Sequence, residues 1–177
     1  MANQLKRVYG ANKASTRPFH LYFLSLKPEG RILRKCCEKN SGFLDYCLTF
    51  DGRGVAETFR DDHPDRIVYL SPDAAEELTD LDPSSVYVIG GLVDDSVQSR
   101  VSWDYAQSAG LRTARLPIQR FMRRRSAESS GGKQILTINQ VFEILLTYYE
   151  TKDWRAALSR GVPARTGFVV INDDDDS

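Results

Sequence analysis

Two adjacent carboxylates, Asp94 and Asp95, follow a glycine pair, Gly90-Gly91, which itself closes the apolar run Val86-Tyr87-Val88-Ile89. β-Favouring residues that run into glycines predict a buried strand that ends abruptly. The glycines let the backbone turn sharply or approach a ligand, and the carboxylates follow where an open α/β sheet presents its site. Asp94 is therefore the candidate acid or base of a pocket. The same residues also suit a tight turn with two solvated carboxylates, and this stretch alone leaves both readings open. Other chemistry is sparse. His20 and His63 are too isolated for a zinc centre or a triad, and neither a dinucleotide fingerprint, a phosphate-binding loop nor a nucleophile elbow occurs. Cys36, Cys37 and Cys47 are odd in number and spaced for neither zinc nor a disulfide framework, so reduced structural thiols are expected.

Elements able to position such a site alternate along the chain. Residues 1–16 are polar and basic without periodicity and read as a frayed end or arm; residues 19–26 read as a first, internal strand. Residues 31–39 carry a helical stripe of Ile32, Leu33, Cys36 and Cys37. Residues 43–50 are apolar but too short to separate strand from helix, and residues 51–64 read as a loop. Residues 66–70 predict a strand. Ser71-Pro72 then predicts a helix start, the serine as cap and the proline in the first turn, with the helix running to Leu81. After the 86–89 strand, Ser102 caps a predicted helix that Gly110 closes, and residues 112–118 predict another strand. Residues 121–133 read as a basic loop. Thr137-Ile138-Asn139-Gln140 fits a capping box ahead of the best amphipathic helix in the chain, and residues 154–158 predict one more. Strands alternating with helices from Ile67 onward predict a largely parallel α/β sheet.

The 177 residues suit one domain, and the formal net charge of 0 hides a segregation. Residues 1–40 carry nine Lys/Arg against two Asp/Glu, and residues 112–133 carry seven against one. Residues 41–111 carry fourteen acids against four arginines. Two basic segments brought together by folding would make a polyanion surface; the alternative is that they merely solvate exposed helices and loops. No apolar run reaches membrane-spanning length and the first residues lack the apolar core of a signal peptide, so an intracellular protein with no membrane association is expected. The loops at 90–95, 116–118 and 133–139 each follow a strand or precede a capped helix. On a parallel sheet they meet at one edge, where backbone groups would bind a small ligand.

Five stretches in order carry a resemblance: Ile67-Val68-Tyr69-Leu70-Ser71, Tyr87-Val88-Ile89-Gly90-Gly91-Leu92-Val93-Asp94, Ala114-Arg115-Leu116-Pro117-Ile118, Leu136 through Leu145, and Asp153-Trp154. Together they resemble the tRNA position-nine guanine-N1 methyltransferases of the SPOUT superfamily, over about residues 18–167, most closely the vertebrate B-type branch. The resemblance implies an α/β fold with a mostly parallel sheet flanked by helices and a C-terminal deep trefoil knot. It implies S-adenosylmethionine as cofactor, with S-adenosylhomocysteine as product and no metal, held by Leu70, Ser71, Gly91, Leu116, Leu136, Thr137 and Ile138. Asp94 matches the family's proposed proton acceptor. It also implies tRNA as partner, with Arg115, Arg120, Arg123, Arg124, Arg125 and Lys133 along a phosphate path that Lys6, Arg7, Lys13 and Arg17 extend. A monomer working in cytoplasm or nucleus is expected, as a basic arm over 1–17, a methyltransferase domain over 18–168 and an acidic disordered tail over 169–177. The departures are a first strand without the acids common in relatives and no long basic extension. The alternative the resemblance leaves is a non-catalytic knotted tRNA-binding subunit that needs a partner protein.

Overall fold

Strand β3 (Ile67–Leu70) is buried at all four positions, as an apolar run is when both faces and both edges are covered. It pairs in parallel with β4 (Val86–Ile89) on one side and β5 (Arg112–Ala114) on the other. The structure is a computed structural model that describes residues 1–91, 101–125 and 136–171. Two smaller pairs accompany the β4-β3-β5 sheet. One is the parallel pair β1 (Tyr22–Phe23) with β2 (Thr49–Phe50); the other is the antiparallel pair β6 (Met122–Arg124) with β7 (Phe168–Val170).

The helices around them are α1 (Ala2–Ala14), α2 (Arg31–Lys39), the short α3 (Val55–Thr58), α4 (Val101–Ser108), the single turn α5 (Ile118–Phe121), α6 (Ile138–Thr151) and α7 (Trp154–Gly161). The expected capping box forms at the start of α6: the Thr137 amide donates to Gln140 Oε1 at 2.8 Å, and the threonine side chain takes the reciprocal bond. Helix α6 ends where Lys152 adopts a left-handed conformation at φ 55°, and Asp153 at once caps α7 by accepting from the amides of Arg155 and Ala156. This tight link folds α7 back on α6. Ile144, Ala157 and Leu158 are fully buried between them and join Val68, Leu70 and Ala114 of the sheet in one core.

Residues 73–81 are not the predicted helix. Their backbone is bound laterally instead: Arg115 N donates to Glu76 O and Leu78 N to Arg115 O, both at 2.8 Å, while the Arg115 guanidinium donates to Ala74 O and Ala75 O. Strand-like bonds to an extension of β5 thus replace the intrahelical bonds that the Ser71-Pro72 signal promised. Ser71 still caps a turn, its Oγ accepting from Asp73 N at 3.2 Å. A polar network holds the far end of this segment. The Trp154 indole donates to Thr79 O at 2.8 Å, and Tyr148, stacked on Trp154 at 3.8 Å, donates its hydroxyl to Asp80. Lys152 Nζ lies 2.7 Å from Asp80 Oδ1, and its hydrogen bond holds that carboxyl below the usual carboxylate range, with help from the Leu81 amide and the Tyr148 hydroxyl. A lowered carboxylate pKa stabilises the fold while the group is ionised, so the contribution is present at neutral pH and lost as pH falls through the folded-state value. For so exposed a pair, Asp80→Asn is expected to lower stability by about 0.5–1 kcal/mol at pH 7. Urea midpoints should show that gap closing towards pH 2.

The amino-terminal residues are not an arm. Helix α1 buries Ala2, Leu5, Val8 and Asn12 and packs on α6 and α2. Asn12 is polar in sequence but locks the chain beyond the helix, since its amide both donates to Phe19 O and accepts from Phe19 N at 2.8 Å. The predicted first strand over 19–26 shrinks to β1. The basic loop over 121–133 begins as β6, whose partner β7 lies more than forty residues away. No described helix is long and apolar enough to cross a membrane. Of the tail expected over 169–177, Val169 and Val170 belong instead to β7, paired with β6, and residues 172–177 lie outside the described residues.

Candidate functional site

Parallel pairing decides where the candidate residues meet. Leu70 is in register with Ile89 on one side and Ala114 on the other, so Ser71, Gly90 and Arg115 all leave the sheet at its carboxyl edge. This is where open α/β sheets bind ligands. Ser71 is buried and its amide donates to Ala114 O at 3.0 Å, which fixes the β3 exit against the β5 exit. Leu116 and Leu136 pack against the same core as Leu70, and Pro117 between them is fully buried.

The start of α6 closes the other flank of this edge. A Cβ built on Gly91 would stand 3.3 Å from Ile138 Cδ1 and 3.4 Å from Met1 Cε, so the strand end and the helix start lie close together. The Ile138 amide donates to Gln4 Oε1 at 3.2 Å. Gln4 is a positioning residue that sequence reading missed, because it stood in a segment read as an arm. The structure thus brings Leu70, Ser71, Gly91, Leu116, Leu136, Thr137 and Ile138 to one sheet edge. Their side chains are mostly apolar or already engaged, which leaves backbone groups and apolar walls as the binding surface. Such an edge suits a ligand with an apolar body and a few polar groups. Asp94, the candidate proton acceptor, and Lys133 lie outside the described residues. Among the described residues, no group of three or more His, Cys, Asp or Glu is placed to hold a metal ion.

Five arginines lie along the chain beside that edge. Arg115 is half-buried and its guanidinium is committed to the carbonyls of Ala74 and Ala75, so its task in this structure is to tie 73–81 to β5. Arg120 is exposed; it lies over the Phe121 ring at 5.4 Å and 3.7 Å from Glu77. Along β6 the side chains alternate, Arg123 outward, Arg124 half-buried with its guanidinium 5.1 Å over the Phe168 ring, and Arg125 outward again. The Arg155 guanidinium, 5.8 Å over the Phe121 ring, donates to Ile171 O at 3.1 Å, joining α7 to the same surface. Arginines interleaved with aromatics at a sheet rim make a surface suited to phosphates and bases.

Comparison with known proteins is consistent across sequence and structure. The family model described as tRNA (guanine(9)-N(1))-methyltransferase TRM10/TRM10A matches residues 1–167. The chain is 41% identical to tRNA methyltransferase 10 homolog B of Mus musculus over 172 residues, 97% of this chain and 53% of that protein. It is 38% identical to the Homo sapiens homolog B, again over 97% of this chain and 54% of that protein. The chain therefore spans about half the length of the curated relatives it matches. Among solved structures, the full-length spTrm10 complex with SAH superposes with a TM-score of 0.78 at 29% identity, covering 92% of this chain and 82% of that one. A dual-specific Trm10 from Thermococcus kodakaraensis, at 22% identity and a TM-score of 0.60, shares the fold over 90% of this chain and 86% of that one.

Proposed function

The chain belongs to the tRNA (guanine(9)-N(1))-methyltransferase family, and from that premise we propose that it carries S-adenosylmethionine-dependent methylation of guanine N1 at position nine of tRNA. The observation that carries this reading is the convergence of three parallel strand ends and the α6 start on one edge, closed by the contact between Gly91 and Ile138. The family's deep knot belongs to this reading too; residues 92–100 and 126–135 lie outside the described residues.

The residues present fit the cofactor. Glycine at position 91 lets the strand exit lie against the α6 start, where a Cβ would meet Ile138 and Met1, and the flanking Leu70, Leu116 and Leu136 offer apolar walls for an adenosine body. Bound S-adenosylmethionine supplies a methyl group already activated by its sulfonium, so the protein's work is to position the acceptor. Ser71 and Thr137, both fixed by backbone hydrogen bonds, hold the loops that orient the two reactants. Asp94 accepts the proton that guanine N1 loses as the N1–methyl bond forms and the sulfur–methyl bond breaks. Position nine must be turned out of its stack to reach such an edge, and backbone contacts hold the distorted RNA.

Arg120, Arg123, Arg124 and Arg125, with Lys133, form the proposed phosphate path, and Arg115 supports it from behind. Reversing the two outward charges, Arg123→Glu with Arg125→Glu, is expected to weaken tRNA binding by about tenfold or more at low salt and to flatten the salt dependence. Filter binding across a salt titration checks this; equal affinity and an equal slope would remove β6 from the path. The reaction itself is tested by primer extension on unmodified tRNA after incubation with S-adenosylmethionine. Arrest at position nine that requires both protein and cofactor supports the assignment. Binding of tRNA without arrest would favour a non-catalytic RNA-binding subunit.

A further inference from the structure

Helix α2 turns one charged stripe outward. Arg31, Arg34, Lys35, Glu38 and Lys39 recur at helical spacing and all are exposed, while Cys36 is fully buried on the opposite side. The cations of this stripe span about 12 Å along the helix axis. Helix α1, packed against α2, exposes Lys6, Arg7 and Lys13 in the same way. Elsewhere the chain holds several of its cations with its own carboxylates: Arg53 pairs with Asp51, Arg66 with Asp62, Arg112 with Glu76 and Lys152 with Asp80. The cations of α1 and α2 have no such pair among the described residues, not even Arg34 with Glu38 one turn on. Like charges left unneutralised on adjoining helices repel one another, and an outside polyanion relieves that repulsion.

This face and the arginine rim of β6 lie on opposite sides of α6. Phe142 and Leu146 of α6 pack with Ala2, Leu5 and Val8 of α1 and with Cys36 of α2. Ile144 and Tyr148 pack instead with α7 and with Met122 of β6. Each of these two pairs sits two residues from the other, which at 3.6 residues per turn sets them roughly 160° apart around the helix. The start of α6 and the start of α1 meet at Gly91 through Ile138 and Met1, so the proposed cofactor edge stands at the end of the helix that separates the two basic surfaces.

We propose that the outward face of α2, continued by α1, is a second phosphate-binding surface, which holds one helical arm of the tRNA while the β6 rim holds the other. This rests on the tRNA reading above and adds to it where the second arm lies. Position nine stands where the two arms of a tRNA diverge, and a base drawn to the α6 start leaves one arm on either side of that helix. Exposed lysines and arginines on a helix face meet phosphates as charges and fix the register of the RNA without reading its sequence. An acidic peptide would meet the same charges, but it gives no reason for cations on both flanks of one site.

Arg34→Glu with Lys35→Glu tests the proposal. Both side chains are exposed, so the thermal midpoint should hold, and Arg31→Glu with Lys39→Glu gives the same readout from the ends of the stripe. Filter binding to whole tRNA should show about tenfold weaker affinity at low salt and a salt slope shallower by about one to two. Binding is then measured to two RNA hairpins, each one arm of the tRNA. The α2 reversal should weaken one hairpin, and the Arg123→Glu with Arg125→Glu reversal the other. Unchanged tRNA affinity, or losses that do not divide between the hairpins, would overturn the proposal and leave the methyl-transfer reading in place. Divided losses in a chain that gives no primer-extension arrest would keep this surface and remove the methyl transfer, and a native chain that binds no tRNA would overturn both. Poly-glutamate binding that the α2 reversal abolishes while tRNA affinity stays intact would assign the face to an acidic protein instead.

Discussion

Asp94→Asn is expected to lower the single-turnover rate of methyl transfer to tRNA by about 100-fold while leaving S-adenosylmethionine affinity within about twofold. Guanine N1 carries a proton that must leave as the nitrogen attacks, and an ionised carboxylate within hydrogen-bond reach accepts it. Asparagine keeps the size and a hydrogen-bonding carbonyl but cannot take that proton. Rapid-quench kinetics on tRNA and calorimetric titration with the cofactor give the two readouts separately. A variant that transfers the methyl group as fast as the native chain would leave Asp94 no role in the proton's departure. Loss of cofactor binding together with rate would assign it to the pocket instead.

The largest expected effect on stability is at Gly161, the last residue of α7. A Cβ there would stand 2.3 Å from Ile144 Cγ1 and 2.8 Å from the backbone carbonyl of Gln140, because α7 packs on α6 at glycine-limited separation. Ile144 is fully buried and the carbonyl belongs to the α6 backbone, so neither can move without displacing the helix. Helix propensity alone would make Gly161→Ala stabilising by up to about 1 kcal/mol. Overpacking should win and destabilise the chain by about 2–3 kcal/mol. For a domain of this size that lowers the thermal midpoint by roughly 5–10 °C, which circular dichroism reads directly. A midpoint that stays the same or rises would show that the two helices are not held at this distance.

What the sequence made legible follows from which forces are local. The β3 and β4 strands are short runs of β-favouring residues with sharp ends and the α6 capping box is a four-residue pattern, and these appear as read; the strand expected over 112–118 stops at Ala114, and Ile118 opens α5 instead. The segment after Ser71 misled because its start carries a true local capping signal, while its remaining hydrogen bonds go to Arg115, forty residues on. The β6–β7 pair was invisible for the same reason, its register being set across the chain. Helix α1 escaped notice because one of its buried positions is Asn12, whose partner Phe19 lies in the following segment. The site was legible chiefly through the ordered motifs and hardly through chemistry. A pocket made of strand exits and a helix start uses backbone groups, glycine and ordinary aliphatic residues, none of which announces a ligand by type. Arg115 shows the opposite limit, since its charge reads as a phosphate contact until the carbonyls of Ala74 and Ala75 are seen to hold it.

The carboxyl edge of the β4-β3-β5 sheet, with Gly91 against the start of α6, is the place proposed for the methyl donor. Calorimetric titration of S-adenosylhomocysteine into the native chain and into Gly91→Val tests it most directly. A Cβ at position 91 would meet the flexible ends of Ile138 and Met1, so the valine should part the strand exit from the α6 start and disturb the edge that takes the ligand, and the thermal midpoint checks that the variant stays folded. The account predicts one saturable site in the native chain and at least about tenfold weaker binding in the variant, more than 1.4 kcal/mol. Absence of binding by the native chain, or equal affinity in a folded Gly91→Val, would contradict it.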